Sequence, residues 1–382
     1  MLNGHGGNVN KICNAYGIDP DEVIDFSASV NPLGYPDSVR RILLERFDDI
    51  LKYPDSECTN LRKTIAEKYL CNTSNVIIGN GSNELFHLIP RALKPKQGTV
   101  LQPTFSEFKD ALYNANVNII EIINDSTSLK FNLSDSKLKS LREGVVFLCN
   151  PNNPTGQLIP KDEILRLVEA NIKRLIVVDE AFMDFVEEEE MFTVIKEARS
   201  TENLIVVRSL TKFYGFPGLR LGYLIACESI INNLLRFKEP WTVNSLAQVA
   251  GQAAINDKAF KLNTRTFMSL EKRFLYEGLS KIKGLHPFYP SANFILVRIG
   301  NDELTSLSLH DLLIKDRIII RDCSNFTGLS NKYFRVAVRT RDENKRLLSA
   351  LKGIMSYQTA EVASEEEFTF MIKGGSTCKQ RQ

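Results

Sequence analysis

Short apolar runs alternate with helix-like amphipathic stretches from about residue 75 to residue 230. Several of the runs are almost continuously hydrophobic, which is typical of strands covered on both faces. The predicted strands are Val76–Gly79, Thr99–Gln102, Asn118–Ile123, Val145–Cys149, Leu175–Asp179, Leu204–Ser209 and Leu221–Ala226, and the helices between them include Asn83–Leu93, Phe105–Asn116 and Pro160–Asn171. This alternation predicts an α/β fold whose large domain has a mostly parallel, seven-stranded sheet covered by helices.

The pattern changes after Pro240 and predicts a smaller α+β domain. A long helical stretch is predicted over Asn244–Ile282, followed by strands near Asn293–Arg298, Ile318–Arg321 and Phe334–Val338 and a last helix over Asp342–Ile354. We therefore predict an N-terminal arm and part of the small domain in residues 1–35, a large domain in 36–240, a small C-terminal domain in 241–356 and a polar tail in 357–382. The tail is expected to be poorly ordered.

Composition and charge narrow the class of protein. The 382 residues are 43% hydrophobic and 25% charged, as in ordinary globular proteins, and the net charge is +2. No basic run carries interleaved aromatic residues, so a nucleic-acid partner is not predicted. No apolar run is long enough for a membrane span, and the first residues lack the pattern of a signal peptide. Seven scattered cysteines and four dispersed histidines predict reduced thiols in the cytoplasm and no metal site.

Candidate site residues follow the predicted strands, at the sheet edge where ligands of α/β proteins bind. Asp179 ends one strand, and Lys212 lies shortly after another in the run Ser-Leu-Thr-Lys-Phe-Tyr-Gly. Pyridoxal 5'-phosphate (PLP) needs an amine for its aldehyde and a carboxylate for its ring nitrogen. These two residues are the predicted catalytic pair. A surface lysine and a helix-capping aspartate are the alternative interpretations.

A phosphate site is predicted from two further segments. Gly81, Ser82 and Asn83 follow a strand and begin a helix, where free N–H groups attract anions. Hydroxyl and guanidinium donors are supplied by Ser209, Thr211 and Arg220. A plain turn between a strand and a helix would resemble the first segment.

The remaining candidates are more open to alternatives. Asn153, in the rigid loop Asn-Pro-Asn-Asn-Pro-Thr-Gly, could donate to the phenolic oxygen of PLP or belong to a well-made turn. Phe105 could stack on the cofactor ring or pack in the core. Arg321 and Arg335 lie on or beside apolar strands, where a charge needs a partner. An anionic substrate and an internal salt bridge are equally suitable partners. His5 alone would be interpreted as part of a flexible end.

The asparagine loop, Asp179, and Ser209-x-x-Lys212 with Arg220 resemble the fold-type-I PLP enzymes, the aspartate aminotransferase superfamily, over roughly residues 1–355. Two branches are similar: histidinol-phosphate aminotransferases and the threonine-phosphate decarboxylases of cobalamin biosynthesis. The opening Gly-His-Gly-Gly-Asn, the run Asp-Phe-Ser-Ala-Ser-Val-Asn-Pro-Leu-Gly and the strand Phe-Arg-Val-Ala-Val-Arg-Thr resemble the decarboxylases. Phe182 occupies a position where many aminotransferases carry a tyrosine, which also favours this branch.

The resemblance implies a site and a reaction. The implied substrate contacts are His5, Gly6, Asn31, Asn153, Arg321 and Arg335. It also implies a homodimer with shared sites, in which Tyr53 reaches the neighbouring cofactor phosphate. The expected reaction is decarboxylation of O-phospho-L-threonine to (R)-1-amino-2-propanol O-phosphate.

Three alternatives stay open. The substrate could be O-phospho-L-serine, which would give ethanolamine phosphate, because one methyl group separates the two substrates. The reaction could be transamination of the histidinol-phosphate type. The chain could also be a catalytically silent binding or regulatory domain, although it has neither a helix-turn-helix segment nor a basic patch at its start.

Overall fold

The computed structural model describes residues 6–124, 129, 131, 133 and 143–356. The strands are β1 Ile24–Asp25, β2 Val76–Asn80, β3 Gln97–Gln102, β4 Asn118–Ile123, β5 Gly144–Cys149, β6 Arg174–Asp179, β7 Leu204–Ser209, β8 Leu221–Ala226, β9 Leu285–Pro287, β10 Phe294–Ile299, β11 Ile318–Ile319, β12 Arg321–Asp322 and β13 Tyr333–Ala337. The α-helices are α1 Val9–Tyr16, α2 Asp37–Glu45, α3 Thr59–Tyr69, α4 Gly81–Leu93, α5 Glu107–Asn114, α6 Lys161–Glu169, α7 Ile195–Ala198, α8 Glu228–Leu235, α9 Ser245–Asn256, α10 Lys258–Ser280, α11 Ser306–Leu313 and α12, residues 341–356.

Seven strands form the large sheet in the order β2-β8-β7-β6-β5-β3-β4. All neighbours are parallel except β8, which runs antiparallel to β2 and β7. Successive side chains point to opposite faces: Ile176 and Val178 join one apolar cluster, whereas Val177 joins the other. Both faces are therefore buried, and the predicted α/β class with a mostly parallel sheet is confirmed.

A smaller antiparallel sheet has the order β12-β13-β10-β9. The N-terminal segment reaches the C-terminal part of the chain, since β1 pairs in parallel with β11 through Ile24 and Ile318. This pairing is compatible with the predicted arm, although the domain boundaries stay a prediction. The tail over 357–382 lies outside the described residues.

The helix predicted over Asn244–Ile282 is two helices, α9 and α10. Asp257 separates them with φ −82° and ψ 82°, and its Oδ1 accepts a hydrogen bond from the backbone N–H of Phe260 at 2.9 Å. An aspartate in this position satisfies a free N–H group at the start of the second helix, so the chain can turn there at little cost. The prediction of one continuous helix is therefore wrong at this residue.

The described residues contain no helix with both the length and the apolar character that a membrane span requires. In the same part of the chain, no group of three or more His, Cys, Asp or Glu side chains is arranged to hold a metal ion.

Candidate functional site

A cavity of about 250 Å³ opens at the carboxyl ends of β6 and β7, beside the start of α4. Its wall brings together many predicted site residues from distant parts of the chain. These are Gly6, Ser82, Asn83, Phe105, Asn153, Asp179, Ser209, Thr211, Lys212, Arg220, Arg321 and Arg335. The parallel strands β5, β6 and β7 bring Asn153, Asp179 and Ser209 to one edge because their carboxyl ends point the same way, whereas Arg321 and Arg335 reach the cavity from the small antiparallel sheet.

One end of the cavity carries donors suited to a phosphate. Helix α4 begins at Gly81, and no side chain of its N-cap residue accepts a hydrogen bond from the first turn. Gly81 has φ +74°, and a Cβ there would lie 2.5 Å from Nη2 of Arg220, so only glycine allows the guanidinium this close approach. The hydroxyl oxygens of Ser209 and Thr211 lie 2.8 Å apart. This set of N–H, hydroxyl and guanidinium donors fits the phosphate of PLP.

Lys212 lines the same cavity and is half-buried there. The pKa of its amine is lowered to about 8, mainly by desolvation and also by the positive charges of Arg335 and Arg220, while Asp179 acts in the opposite direction. Roughly one tenth of such amines are neutral at pH 7, whereas about one in 3,000 would be neutral with the ordinary pKa. The site therefore prepares a nucleophilic amine, as the aldehyde of PLP requires.

Asp179 is the last residue of β6, and its buried side chain lines the cavity. Among the described ion pairs, its carboxylate has no guanidinium partner. Its Oδ1 accepts from the backbone N–H of Ala181 at 2.9 Å, and Cys149 Sγ lies 3.8 Å from its Oδ2. The pKa of this carboxyl is raised to about 7, mainly by burial and also by the neighbouring charge of Glu180, against the lowering effect of the hydrogen bond from Ala181. A buried carboxylate of this kind favours a cationic partner, and the protonated ring nitrogen of PLP fits that requirement.

A buried ion pair lies directly behind these residues and was not predicted from the sequence. Arg208 and Glu180 are both fully buried, and Arg208 Nε donates to Glu180 Oε2 at 2.8 Å. Because side chains alternate along a strand, Arg208 points away from the cavity while Ser209 points into it. An arginine within the apolar run of β7 was the available signal. The pair fixes the ends of β6 and β7 relative to each other.

The opposite wall carries two arginines that face each other. Arg321 and Arg335 are direct partners in the antiparallel pairing of β12 with β13, so they project from the same face. Arg335 Nη2 donates to the carbonyl of Ser27 at 2.9 Å and its Nη1 donates to Asn153 Oδ1. Arg321 Nη2 donates to Asn325 Oδ1 at 3.0 Å.

Neither Arg321 nor Arg335 forms an ion pair with a carboxylate in the part of the chain that the structure describes. Burial lowers the pKa of Arg335 to about 10, and the charge of Arg321 adds to this shift. Like charges on directly opposed residues are destabilising. An anionic ligand would relieve this repulsion, and the internal salt bridge considered above is absent from the described ion pairs.

Three further residues of the predicted site are not among the described residues that line the cavity. His5 lies outside the described residues. Tyr53 is 86% exposed, outside the cavity of its own chain. The buried amide of Asn31 donates to the carbonyl of Phe213 at 2.8 Å and to Thr264 Oγ1 at 3.1 Å, and its Oδ1 accepts from the N–H of Leu33. Because these bonds use the amide inside the fold, the geometry does not support Asn31 as a direct substrate contact.

Other cavity residues were not singled out from the sequence. Ser27, Ala28 and Ser29 form a strap along the wall, and Ser29 Oγ is buried without a hydrogen-bond partner in the described structure. Glu107 also lines the cavity, 3.4 Å from Nε2 of His87. Single serines and glutamates carry no distinctive sequence signal, so only the folded chain identifies them.

Phe105 packs against core aromatic residues and also lines the cavity, so its position is compatible with both core packing and a contact with the cofactor. Its ring packs edge-on against Phe86 and Phe108, with centroids 6.5 and 5.7 Å away, and it also lines the cavity. Stacking on the cofactor stays a prediction, as do the roles of the other site residues.

The sequence of this chain is similar to those of known proteins. Residues 21–351 match the profile of the family described as aminotransferase class I and II. The threonine-phosphate decarboxylase of Salmonella typhimurium is 36% identical over 362 residues, which cover 92% of this chain and 96% of that protein. The adenosylcobalamin biosynthesis bifunctional protein CobDQ of Leptospira interrogans is 35% identical, over 92% of this chain but only 41% of that protein.

Aminotransferases are also similar. The histidinol-phosphate aminotransferase of Methanothermobacter thermautotrophicus is 31% identical over 91% of this chain and 92% of that protein. Among solved structures, the L-threonine-O-3-phosphate decarboxylase of Porphyromonas gingivalis superimposes with a TM-score of 0.79 at 26% identity, covering 87% of this chain and 99% of that one. The predicted superfamily and its two neighbouring branches are confirmed. The chain belongs to the aminotransferase class I and II family and is a PLP-dependent enzyme.

Proposed function

We propose that this enzyme decarboxylates O-phospho-L-threonine to (R)-1-amino-2-propanol O-phosphate. The opposed guanidiniums of Arg321 and Arg335 are the observation that carries the proposal. With Arg220 they provide three guanidiniums in one cavity. Three anionic groups would match them: the cofactor phosphate, the substrate phosphate and the substrate carboxylate. The similarity to threonine-phosphate decarboxylases supports the same substrate.

In the proposed reaction, Arg335 and Arg321 bind the substrate and Lys212 supplies a proton. Bound PLP supplies the electron sink that accepts the pair released when CO2 leaves. Arg335, the more buried guanidinium, orients the substrate carboxylate, and Arg321 faces the second anionic group. Lys212, whose amine has a pKa of about 8, holds a proton that it can deliver to Cα. The reaction consumes one proton for each CO2 released.

Residues from the chain ends and from a second copy would complete the site. Gly6 lies against the strap, and the N–H of Gly7 donates to Ser27 Oγ at 2.9 Å, so the arm reaches the cavity. His5 directly precedes Gly6 in the sequence of this arm, and we propose that it helps to bind the substrate phosphate. A homodimer in which the exposed Tyr53 reaches the partner's cofactor phosphate is part of the same proposal. The similarity to the CobDQ protein supports a role in making part of cobalamin.

Transamination of histidinol phosphate is the second candidate, because the similarity to histidinol-phosphate aminotransferases covers nearly the whole chain. Phe182 weighs against it. The residue lines the cavity with a ring that has no hydroxyl for the phenolic oxygen of the cofactor. A tyrosine at this position in many aminotransferases provides that hydrogen bond.

A direct assay tests the proposed reaction. The PLP-loaded enzyme is incubated with O-phospho-L-threonine in the absence of any 2-oxo acid. We expect CO2 and 1-amino-2-propanol O-phosphate in equal amounts. O-phospho-L-serine should react with a kcat/KM about 10- to 100-fold lower, because one methyl group in a pocket contributes about 1–3 kcal/mol. Product that forms only with 2-oxoglutarate and histidinol phosphate would establish the aminotransferase instead.

Replacing either opposed arginine should weaken substrate binding. For Arg335→Gln we expect KM to rise about 100-fold, since the loss of one partner of a buried charge pair costs about 2–5 kcal/mol. The unliganded variant should melt at a higher temperature than the wild type, because it lacks the Arg321–Arg335 repulsion. Thermal melts with and without O-phospho-L-threonine measure both effects. Arg298→Gln is the matched control, because this arginine is exposed on the neighbouring strand β10. An unchanged KM in Arg335→Gln would refute the assigned contact.

A further inference from the structure

The guanidinium of Arg335 rests on an aromatic pair. In the small sheet Phe294 pairs with Ala337 and Leu296 pairs with Arg335, so Phe294 and Arg335 lie diagonally on the same face. The guanidinium carbon is 5.0 Å from the Phe294 ring centroid. The Phe182 ring meets Phe294 at a centroid distance of 5.0 Å and an interplanar angle of 79°. The methyl side chain of Ala337 leaves room for this arrangement.

Contacts on other sides complete the support of the guanidinium. Nη2 donates to the carbonyl of Ser27 in the strap, and Nη1 donates to Asn153 in the asparagine loop. Phe294 is fully buried, so its ring cannot move aside without disturbing the core. Arginine side chains ordinarily sample many rotamers, and this one is restricted by a ring face and two fixed acceptors. The direction of its remaining donor surface is therefore set by the fold.

This direction matters for the proposed reaction. Among the bonds at Cα, the one that stands perpendicular to the cofactor ring is broken, because only that bond overlaps its π system. The carboxylate is bound by the guanidinium, so the angle of the guanidinium determines whether the Cα–carboxylate or the Cα–H bond is aligned.

We propose that Phe182 and Phe294 are positioning residues that hold Arg335 in the orientation that directs the enzyme toward loss of CO2. The inference rests on the proposed function and deepens it. If the guanidinium tilts, the Cα–H bond becomes aligned and Lys212 takes that proton. Lys212 would pass this proton to the former aldehyde carbon of bound PLP, which would also receive the electron pair from Cα and retain the amino group, and water would supply the oxygen of the ketone formed at Cα. The side product is a 2-oxo acid.

The ratio of CO2 to 2-oxo acid released by the holoenzyme tests this proposal. Phe294→Leu removes the ring face and should lower the ratio about tenfold, a change that corresponds to ~1.4 kcal/mol. Phe182→Leu leaves the contact between Phe294 and Arg335 but removes its outer support, and it should lower the ratio about threefold. Phe334→Leu is the matched control, because Phe334 is equally buried but points to the other face of β13, and its ratio should equal that of the wild type.

A binding measurement separates the positioning role from loss of stability. In holoenzyme made inert by borohydride, we compare the affinity for O-phospho-L-threonine with that for 1-amino-2-propanol O-phosphate, which lacks the carboxylate. Phe294→Leu should reduce this affinity ratio about tenfold through weaker binding of the first ligand only. If Phe294→Leu does not fold, Phe182→Leu should show the same direction of change.

The outcomes distinguish the two hypotheses. The positioning role would be overturned if both ratios, CO2 to 2-oxo acid and the affinity ratio, equal those of the wild type in each of Phe294→Leu and Phe182→Leu that folds. If the wild type releases no CO2, the proposed function fails, and the affinity ratio still reports whether the aromatic pair orients Arg335 toward a carboxylate.

Discussion

Lys212→Ala should lower CO2 release by at least about 10³-fold, the largest effect that we expect from a single substitution. In the proposed mechanism the variant loses both the amine that joins the cofactor aldehyde and the group that delivers a proton to Cα. Lys212→Arg should be equally inactive, although it keeps a positive charge, because a guanidinium is protonated throughout the working pH range. Assays of CO2 release with both variants separate charge from nucleophilicity.

The pH dependence of cofactor binding provides a second measurement on the same residue. Because the amine of Lys212 has a pKa of about 8, the rate of covalent PLP incorporation into apoenzyme should rise about eightfold between pH 6.5 and 7.5 and level off above about pH 9. Borohydride reduction and peptide mapping should place the label on Lys212. The control is Lys68, which is also half-buried; desolvation acts to lower its pKa, but nearby Tyr69 and Asp184 raise it overall, so this amine stays protonated. A label on any other lysine would contradict the assignment of the site.

Asp179→Asn should have opposite effects on activity and on the stability of the apoenzyme. Activity should fall about 10²- to 10³-fold, because the ring nitrogen of the cofactor loses the charge that keeps it protonated. The apoenzyme should become more stable, because the folded wild type must hold a carboxylate whose pKa is raised to about 7, mainly by burial. The same buried charge therefore lowers the stability of the empty fold and serves the loaded one.

Proton linkage gives the direction in which Asp179 makes the stability of the apoenzyme depend on pH. Between about pH 4 and pH 7 the folded apoenzyme binds a proton at Asp179 that the unfolded chain does not bind, so the wild type loses stability as the pH rises through this range. Above pH 7 the cost is fully present, with an upper limit of about 4 kcal/mol for a shift of this size. Urea unfolding of both apoenzymes at pH 5 and pH 8 measures it. We expect the stability gain of Asp179→Asn to be clearly larger at pH 8, and an equal gain at both pH values would show that Asp179 titrates normally in the fold.

The fold and the cofactor site were predictable for reasons that are local in the sequence. Strands buried on both faces must be apolar throughout, which made β5, β6 and β7 recognisable. Lys212 and Asp179 interrupt or follow such runs, where an unneeded charge would be costly. Gly81 occupies a turn that requires positive φ and a close approach by Arg220. Each of these signals lies within a few residues of the feature it predicts.

The arrangement of the cavity wall that carries Arg321 and Arg335 could not be predicted, because it depends on contacts between segments that are distant in the chain. The sequence left a salt bridge and a ligand as equal explanations for Arg321 and Arg335, because strand register is not encoded within either strand alone. The family resemblance implied that Asn31 contacts the substrate, whereas in the folded chain its side-chain amide donates hydrogen bonds to Phe213 and Thr264. A hydrogen-bond partner that is more than 180 residues away leaves no local pattern.

The amino-acid sequence by itself determined the α/β architecture and the cofactor and singled out Lys212 as the residue proposed to hold it, because backbone periodicity and the chemistry of PLP impose residue types at short spacing. Only the tertiary structure decided that two arginines oppose each other without a carboxylate partner among the described residues, and that Phe294 supports one of them. These contacts depend on burial and on the register of strand pairing, and both are properties of the folded chain.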